Sequence, residues 1–316
     1  MTELSIPDAG TPRPGEDVQA DPGAAASTAP AQEDAPSRTG RGVRSAGFWL
    51  RRPGLVASLL LLAAVLLAVF LPGLLASRDP LAAAPRDKLQ APSAGHPFGT
   101  DELGRDLFAR VVHGSLLTLQ ATVLAVLVGL VVGSLAGLLA GYRGGVVDDA
   151  LMRLTDVLLA IPGLLLSLAL VTALGFGTVQ VALAVGVTSV STFARIMRAE
   201  VLKIGVSGYV EAARASGTRW PSVLLCHVLP NAAGPVLVYA AVDFGAVVLQ
   251  VSSLSFLGYG AQPPAPEWGS LVSDGRNYLA TAWWLTTLPG LVIAATVLAA
   301  NRIARALDGE DTEETR

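Results

Sequence analysis

Charge is scarce in this chain. Of its 316 residues 15% are charged and 52% are hydrophobic, against about 25% charged in an average soluble domain. Lysine is almost missing. Lys88 and Lys203 follow Asp and Leu, so there is no Gly-Lys-Ser/Thr phosphate loop and no nucleotide hydrolysis of that kind on this chain. A single cysteine, Cys226, excludes an intrachain disulfide and a cysteine-cluster metal site. The three histidines, His96, His113 and His227, stand far apart without metal-ligand spacing, and each is expected to serve a local hydrogen bond. The apolar runs hold no His/Cys cluster, Ser/His arrangement or paired carboxylates, so an enzyme is not expected. The net charge of −3 is set largely by acids near the two ends, and neither end has the basic surface that nucleic-acid binding requires.

Long apolar runs are abundant. Residues 55–76, LVASLLLLAAVLLAVFLPGLLA, carry no charge, and as a helix they would extend ~33 Å, enough to cross a ~30 Å hydrocarbon core. The chain is therefore read as an all-α integral membrane protein in contact with lipid. The first transmembrane helix is placed at 54–77. It is too long, and starts too far into the chain, for a cleaved signal peptide. Five further spans are expected at about 115–140, 151–174, 178–196, 232–257 and 283–304. Gly133 and Gly137 in the second span form a small-xxx-small pair, where two helices can approach closely, although glycine is also common in membrane helices. Residues 1–45 are rich in Pro, Gly, Ala, Ser and acid, too poor in apolar surface to offset their ordering entropy, and are expected to form a disordered cytoplasmic tail. Residues 306–316 are read as a cytoplasmic acidic tail.

Arginine and lysine set the orientation. With the N-terminus inside, the inner segments collect Arg51, Arg52, Arg143, Arg153, Arg195, Arg198, Lys203, Arg214 and Arg219, while the outer ones hold fewer, among them Arg78, Arg105, Arg110 and Arg276. Six spans with both ends inside follow. The segment 78–112 becomes an extracytoplasmic loop, 113–305 the transmembrane core, and 199–230 an inner loop.

That inner loop contains YVEAARASGTRWPSVLLCHVLPN, residues 209–231. Ser207 or Gly208 can cap a short helix, with Glu211 favourable in its first turn. Ala212, Ala213 and Ala215 favour helix and leave little bulk. Gly217 suits a left-handed helix end. Pro221 fits the first turn of a second helix, and Pro230 is expected to end it. The result is a helix–turn–helix elbow with a small-residue surface, against which a partner's backbone can pack.

Glu211-Ala212-Ala213, followed by Gly217 and closed by Leu229-Pro230-Asn231, resembles the EAA loop of bacterial ABC-importer permeases. FGTDELGRDLFARVVHGS (98–115), GYRGGVVDDALMRLTDVLLAIPGLLL (141–166) and SLSFLGYGAQPPAPEWGSLVSDGRNYL (253–279) resemble the dipeptide/oligopeptide/nickel subfamily, most closely its C-type subunit. The resemblance runs from about residue 98 to about residue 300. It implies a type I importer permease in the bacterial cytoplasmic membrane, working with a partner permease, two ATPase subunits and an extracytoplasmic solute-binding protein. It implies no cofactor in this chain, with ATP and Mg on the ATPases. Glu211, Ala212, Ala213, Gly217, Leu229, Pro230 and Asn231 would couple to the ATPase. Asp101, Arg105 and Asp106, with Gly99 and Gly104, carry the family signature ahead of the second span, and either shape the outer mouth or only the local fold. Trp268, in an outer loop with Pro263 and Pro264, is an interfacial or gating element, or part of a tight turn.

Asp243 departs from the family pattern, lying in the middle of the fifth span. It either faces a polar translocation path or pairs with a neighbouring hydroxyl. Cys226 stands where a basic residue is common in the family. With no metal-binding constellation to favour nickel, di- or oligopeptides are the expected solutes. The alternative is an ion- or proton-coupled secondary transporter. Against it, no internal repeat is visible and Asp243 is the only deeply placed acid.

Overall fold

In a computed structural model of the chain, residues 53–308 are described. The two tails, 1–45 and most of 306–316, lie outside them. The described chain is helical throughout, apart from turns and loops. We label the main helices α1 (Pro53–Phe70), α2 (Leu107–Arg143), α3 (Gly145–Ala160), α4 (Gly163–Leu174), α5 (Thr178–Gly205), α6 (Gly208–Ala215), α7 (Trp220–Phe256), α8 (Trp268–Gly275) and α9 (Trp284–Asp308). Five of these, α1, α2, α5, α7 and α9, are long and apolar enough to cross a membrane, and the α3–α4 pair makes a sixth if it is counted as one broken span.

The third span, expected as one helix over 151–174, is thus two. They meet at an angle of 96°. Pro162 removes a backbone donor, and the residue before a proline is pushed out of helical conformation. Ile161 accordingly adopts φ −97°, ψ 129°. α2 begins at Leu107, inside the loop expected over 78–112, and its 37 residues correspond to ~55 Å, well beyond a ~30 Å hydrocarbon layer. Its two ends therefore reach polar surroundings on opposite faces.

The most extensive packing in the fold joins α2 to α5. Glycines make it possible. A Cβ on Gly133 would lie 2.5 Å from the Val190 carbonyl oxygen, and one on Gly129 2.7 Å from the Ser189 Cβ. Gly137 likewise leaves room for the Ala194 carbonyl. In lipid, where burial of apolar surface does not drive helix pairing, such close approach supplies the dispersion contacts that do. Ion pairs tie α3 to the same helix: Arg198 grips Asp148 through Nε at 2.5 Å and Nη2 at 2.6 Å, and Arg195 reaches Asp156 at 2.6 Å. The core is graded along the bundle. At the outer end it gathers Leu107, Val111, Trp268, Leu271, Trp284 and Leu285. At the elbow end it gathers Phe193, Met197, Val201, Val210, Val223 and Val228.

Pro230 does not end a helix. α7 runs through it without a break, because residues Leu224–Val228 widen into a π turn just before it, closed by the Leu229 N–H on the Leu224 carbonyl. The wider turn displaces the carbonyl with which the proline ring would clash and accommodates the missing donor.

Candidate functional site

The elbow is built from α6 and the first turns of α7. Val210 anchors α6 and is fully buried, among Val201, Val223 and Val228. Its neighbours Glu211 and Ala212 point outward and are exposed, while Ala213 is half-buried. A short helix with one buried valine and an exposed face that carries Tyr209, Glu211, Ala212, Arg214 and Ala215 follows from a 3.6-residue repeat. α6 closes with a double hydrogen bond, Gly217 N–H to Arg214 O at 3.0 Å and Thr218 N–H to Ala213 O at 3.2 Å, the Schellman arrangement. It needs a left-handed residue, and Gly217 has φ +77°. Nothing lies within 4 Å of where its Cβ would be, so backbone conformation, not space, demands glycine there.

Ser207 sits at the N-cap position, but its hydroxyl donates backward to the Ile204 carbonyl at 2.6 Å and does not cap α6. Pro221 lies in the first turn of α7 as expected. Leu229 is half-buried and Pro230 and Asn231 are exposed. The Asn231 amide donates to the His227 carbonyl at 2.6 Å, beside the π turn. The structure thus brings Glu211, Ala212, Ala213 and Gly217 together at one elbow and places Leu229, Pro230 and Asn231 further along α7. Sequence reasoning missed the brace that holds this elbow. Tyr142, at the end of α2, packs against Trp220 with ring centroids 6.1 Å apart and the planes tilted by 33°. Its hydroxyl donates to the Trp220 carbonyl at 3.3 Å, and Arg214 lies 5.5 Å over its ring.

On the opposite face, Asp101 and Arg105 lie in the turn that leads into α2, and Asp106 is its N-cap. Asp101 Oδ1 accepts the backbone N–H groups of Leu103 and Arg105 at 2.9 and 2.8 Å, and Oδ2 accepts Arg105 Nε at 2.6 Å. Asp106 caps α2 by accepting the Ala109 N–H at 2.8 Å. Its other oxygen meets Arg78 at 3.0 Å and His96 at 2.8 Å. Gly104, at φ +78°, leaves no room for a side chain against Ala84. These residues make a buried turn and cap, with Arg–Asp pairing at its centre.

Trp268 is a core residue, 1% exposed. Its indole N–H donates to the Val111 carbonyl at 2.9 Å, and its backbone N–H to Thr118 Oγ1 at 3.1 Å, so it fastens α8 to α2. Asp243 is 8% exposed and sits beside Ser189 of α5 and Tyr239 of α7, inside this subunit's own bundle. Two further charged groups were not singled out from the sequence. Glu267 is wholly buried, and its carboxylate accepts Ser255 Oγ at 2.6 Å and the Ala261 N–H at 2.7 Å. Arg110 is 3% exposed. The signal for both was an isolated charge next to apolar residues, in PEWG and in FARVV.

The fold defines the class: a multi-pass, all-helical membrane protein. Residues 129–309 match the family described as the inner membrane component of binding-protein-dependent transport systems. The chain is 38% identical over 253 residues to the dipeptide transport system permease protein DppC of Alkalihalophilus pseudofirmus, covering 80% of this chain and 83% of that protein. It is 38% identical over 250 residues to the probable D,D-dipeptide transport system permease protein DdpC of Escherichia coli, covering 79% and 84%. It is 42% identical over 216 residues to the glutathione transport system permease protein GsiD of Escherichia coli, covering 68% and 71%. Among solved structures, an amino acid ABC transporter with histidines shares the fold at a TM-score of 0.50 and 17% identity, covering 64% of this chain and 94% of that one.

The chain belongs to the family of binding-protein-dependent transport system inner membrane components. It is a permease, the non-catalytic membrane part of a system whose ATPase and binding protein are separate chains. This answers the choice left open by the sequence between such a permease and an ion-coupled secondary transporter.

Proposed function

We propose that this permease carries short peptides, that it forms its translocation path with a partner permease, and that the elbow at 199–230 couples it to two ATPase subunits. The relatives it matches are named for dipeptides, D,D-dipeptides and glutathione, all short peptides or peptide-like solutes, which supports the substrate class. The observation that carries the coupling assignment is the form of α6: an anchoring Val210 beneath, Glu211 and Ala212 exposed above, and a left-handed stop at Gly217. A partner can approach closely at Ala212 and Ala215, with the exposed Glu211 and Arg214 beside them. The Tyr142–Trp220 brace lets force applied to α6 reach α2 and, through the glycine-lined contact, α5. ATP-driven approach of the ATPases would draw the elbows together and switch the path between two rigid-body states.

The test is co-purification of the cognate ATPase with wild type and with Gly217→Asp. Binding to wild type and loss from a membrane-inserted variant is the expected result. Equal binding to both would place the dock elsewhere.

A further inference from the structure

On the face opposite the elbow, a cavity of about 410 Å³ opens between the start of α2, the loop 258–265 and α8. That volume lies within the ~300–1,000 Å³ range of small-molecule sites. Arg110 lines it. Its side chain is 4% exposed; Nε and Nη1 are closed off and have no hydrogen-bond partner, so a ligand would meet the guanidinium at Nη2, the nitrogen beside Asp274. The two nearest carboxylates are at salt-bridge distance but not bonded: Asp101 Oδ2 is 3.5 Å from Nη1, and Asp274 Oδ2 is 4.0 Å from Nη2. Asp101 is already committed to Arg105 and to two backbone amides. Asp274 is 51% exposed.

A buried guanidinium with idle donors is costly, and its Nη2 can donate to a carboxylate. The cavity is not simply anion-selective, however. Glu102, Asp274 and Arg105 also line it. Arg105 is paired with Asp101 and Glu102, and the three carboxylates outnumber the two guanidiniums, which disfavours a ligand carrying only negative charge. A zwitterion meets both demands. Its carboxylate displaces the loosely held Asp274 from Arg110, and its ammonium then pairs with Asp274 and Glu102.

We propose that this cavity is a transit site for short zwitterionic peptides, with Arg110 receiving the C-terminal carboxylate and Asp274 with Glu102 receiving the amine. The assignment rests on the peptide-importer reading above and adds to it a place and a recognition chemistry within the permease.

The probes are labelled dialanine, dialanine amide and N-acetyl-dialanine, in equilibrium binding to the full-length chain in detergent. Wild type should bind dialanine at least tenfold more tightly than the amide. Arg110→Gln should erase that difference, and Asp274→Asn should erase the preference over the acetylated form. Should Arg110→Gln fail to fold, Gln262→Trp narrows the exposed rim without touching the buried charges, and should also abolish binding. Equal affinity for dialanine and its amide, no binding by wild type at millimolar dialanine, or wild-type binding by both Arg110→Gln and Gln262→Trp would overturn the site. Dialanine uptake by cells carrying the complete system separates the two claims. Uptake that persists unchanged in the Arg110→Gln and Gln262→Trp variants sinks the site alone. No uptake by wild type sinks the peptide reading and the site with it.

Discussion

The wholly buried carboxylate of Glu267 accepts a hydrogen bond from the Ser255 hydroxyl at 2.6 Å, so the end of α7 and the start of α8 share one charged anchor. The Ala261 N–H is the second donor. Glu267→Ala would leave both donors unpaired in the core and should cost about 2–4 kcal/mol. Glu267→Gln keeps one acceptor and should cost less. Thermal unfolding in detergent checks the order.

The α2–α5 contact should be intolerant of side chains at Gly133. Gly133→Val forces a methyl-bearing group against the Val190 carbonyl, and overpacking of this kind costs about 1–3 kcal/mol or more. Gly234→Ala is the control, since nothing lies within 4 Å of that site. It should leave the midpoint of unfolding unchanged or slightly raised.

Substitutions at Gly217 should rank by their tolerance of positive φ. Gly217→Asn can adopt the left-handed conformation and should keep ATPase co-purification. Gly217→Val opposes it by about 1–2 kcal/mol and should lose most of it. The same loss in both variants would mean that side-chain bulk at the dock matters more than the bend.

Asp106 has two separable duties. Asp106→Asn can still accept the Ala109 N–H, so it should preserve the α2 cap while weakening the contacts with Arg78 and His96. Asp106→Ala removes both and should destabilise by about 1–2 kcal/mol more than the amide variant. Parallel denaturation of the two variants separates cap from charge.

The Asp148–Arg198 pair fastens the broken span to α5. It is partly open to solvent, so screening limits its worth to about 0.5–1 kcal/mol. Asp148→Asn, Arg198→Gln and their combination form a double-mutant cycle that should return a coupling energy of that size. Zero coupling would make the pair a bystander.

The apolar runs were legible because a bilayer tolerates little besides long uncharged helices, and the elbow because Ala, Gly and Pro have strong local backbone preferences. Gly217 was placed correctly for that reason, since its left-handed φ is a property of the turn itself. Pro230 was misjudged because a π turn, which no local pattern announced, absorbs it. The broken third span had a visible cause in Pro162, but a proline kinks a membrane helix by any amount its neighbours allow, and the 96° bend depends on those neighbours.

What the sequence determined by itself was the class of molecule, its long apolar helices and the elbow, all governed by composition and by interactions within a few residues. Only the tertiary structure decided where the isolated charges go. Asp243 turns into its own bundle, Glu267 anchors two helices, and Arg110 lies beside a cavity, near two carboxylates but with Nε and Nη1 unbonded. The physical reason is range. A buried charge is governed by partners far along the chain, and those partners meet only when glycine-lined helices have come together.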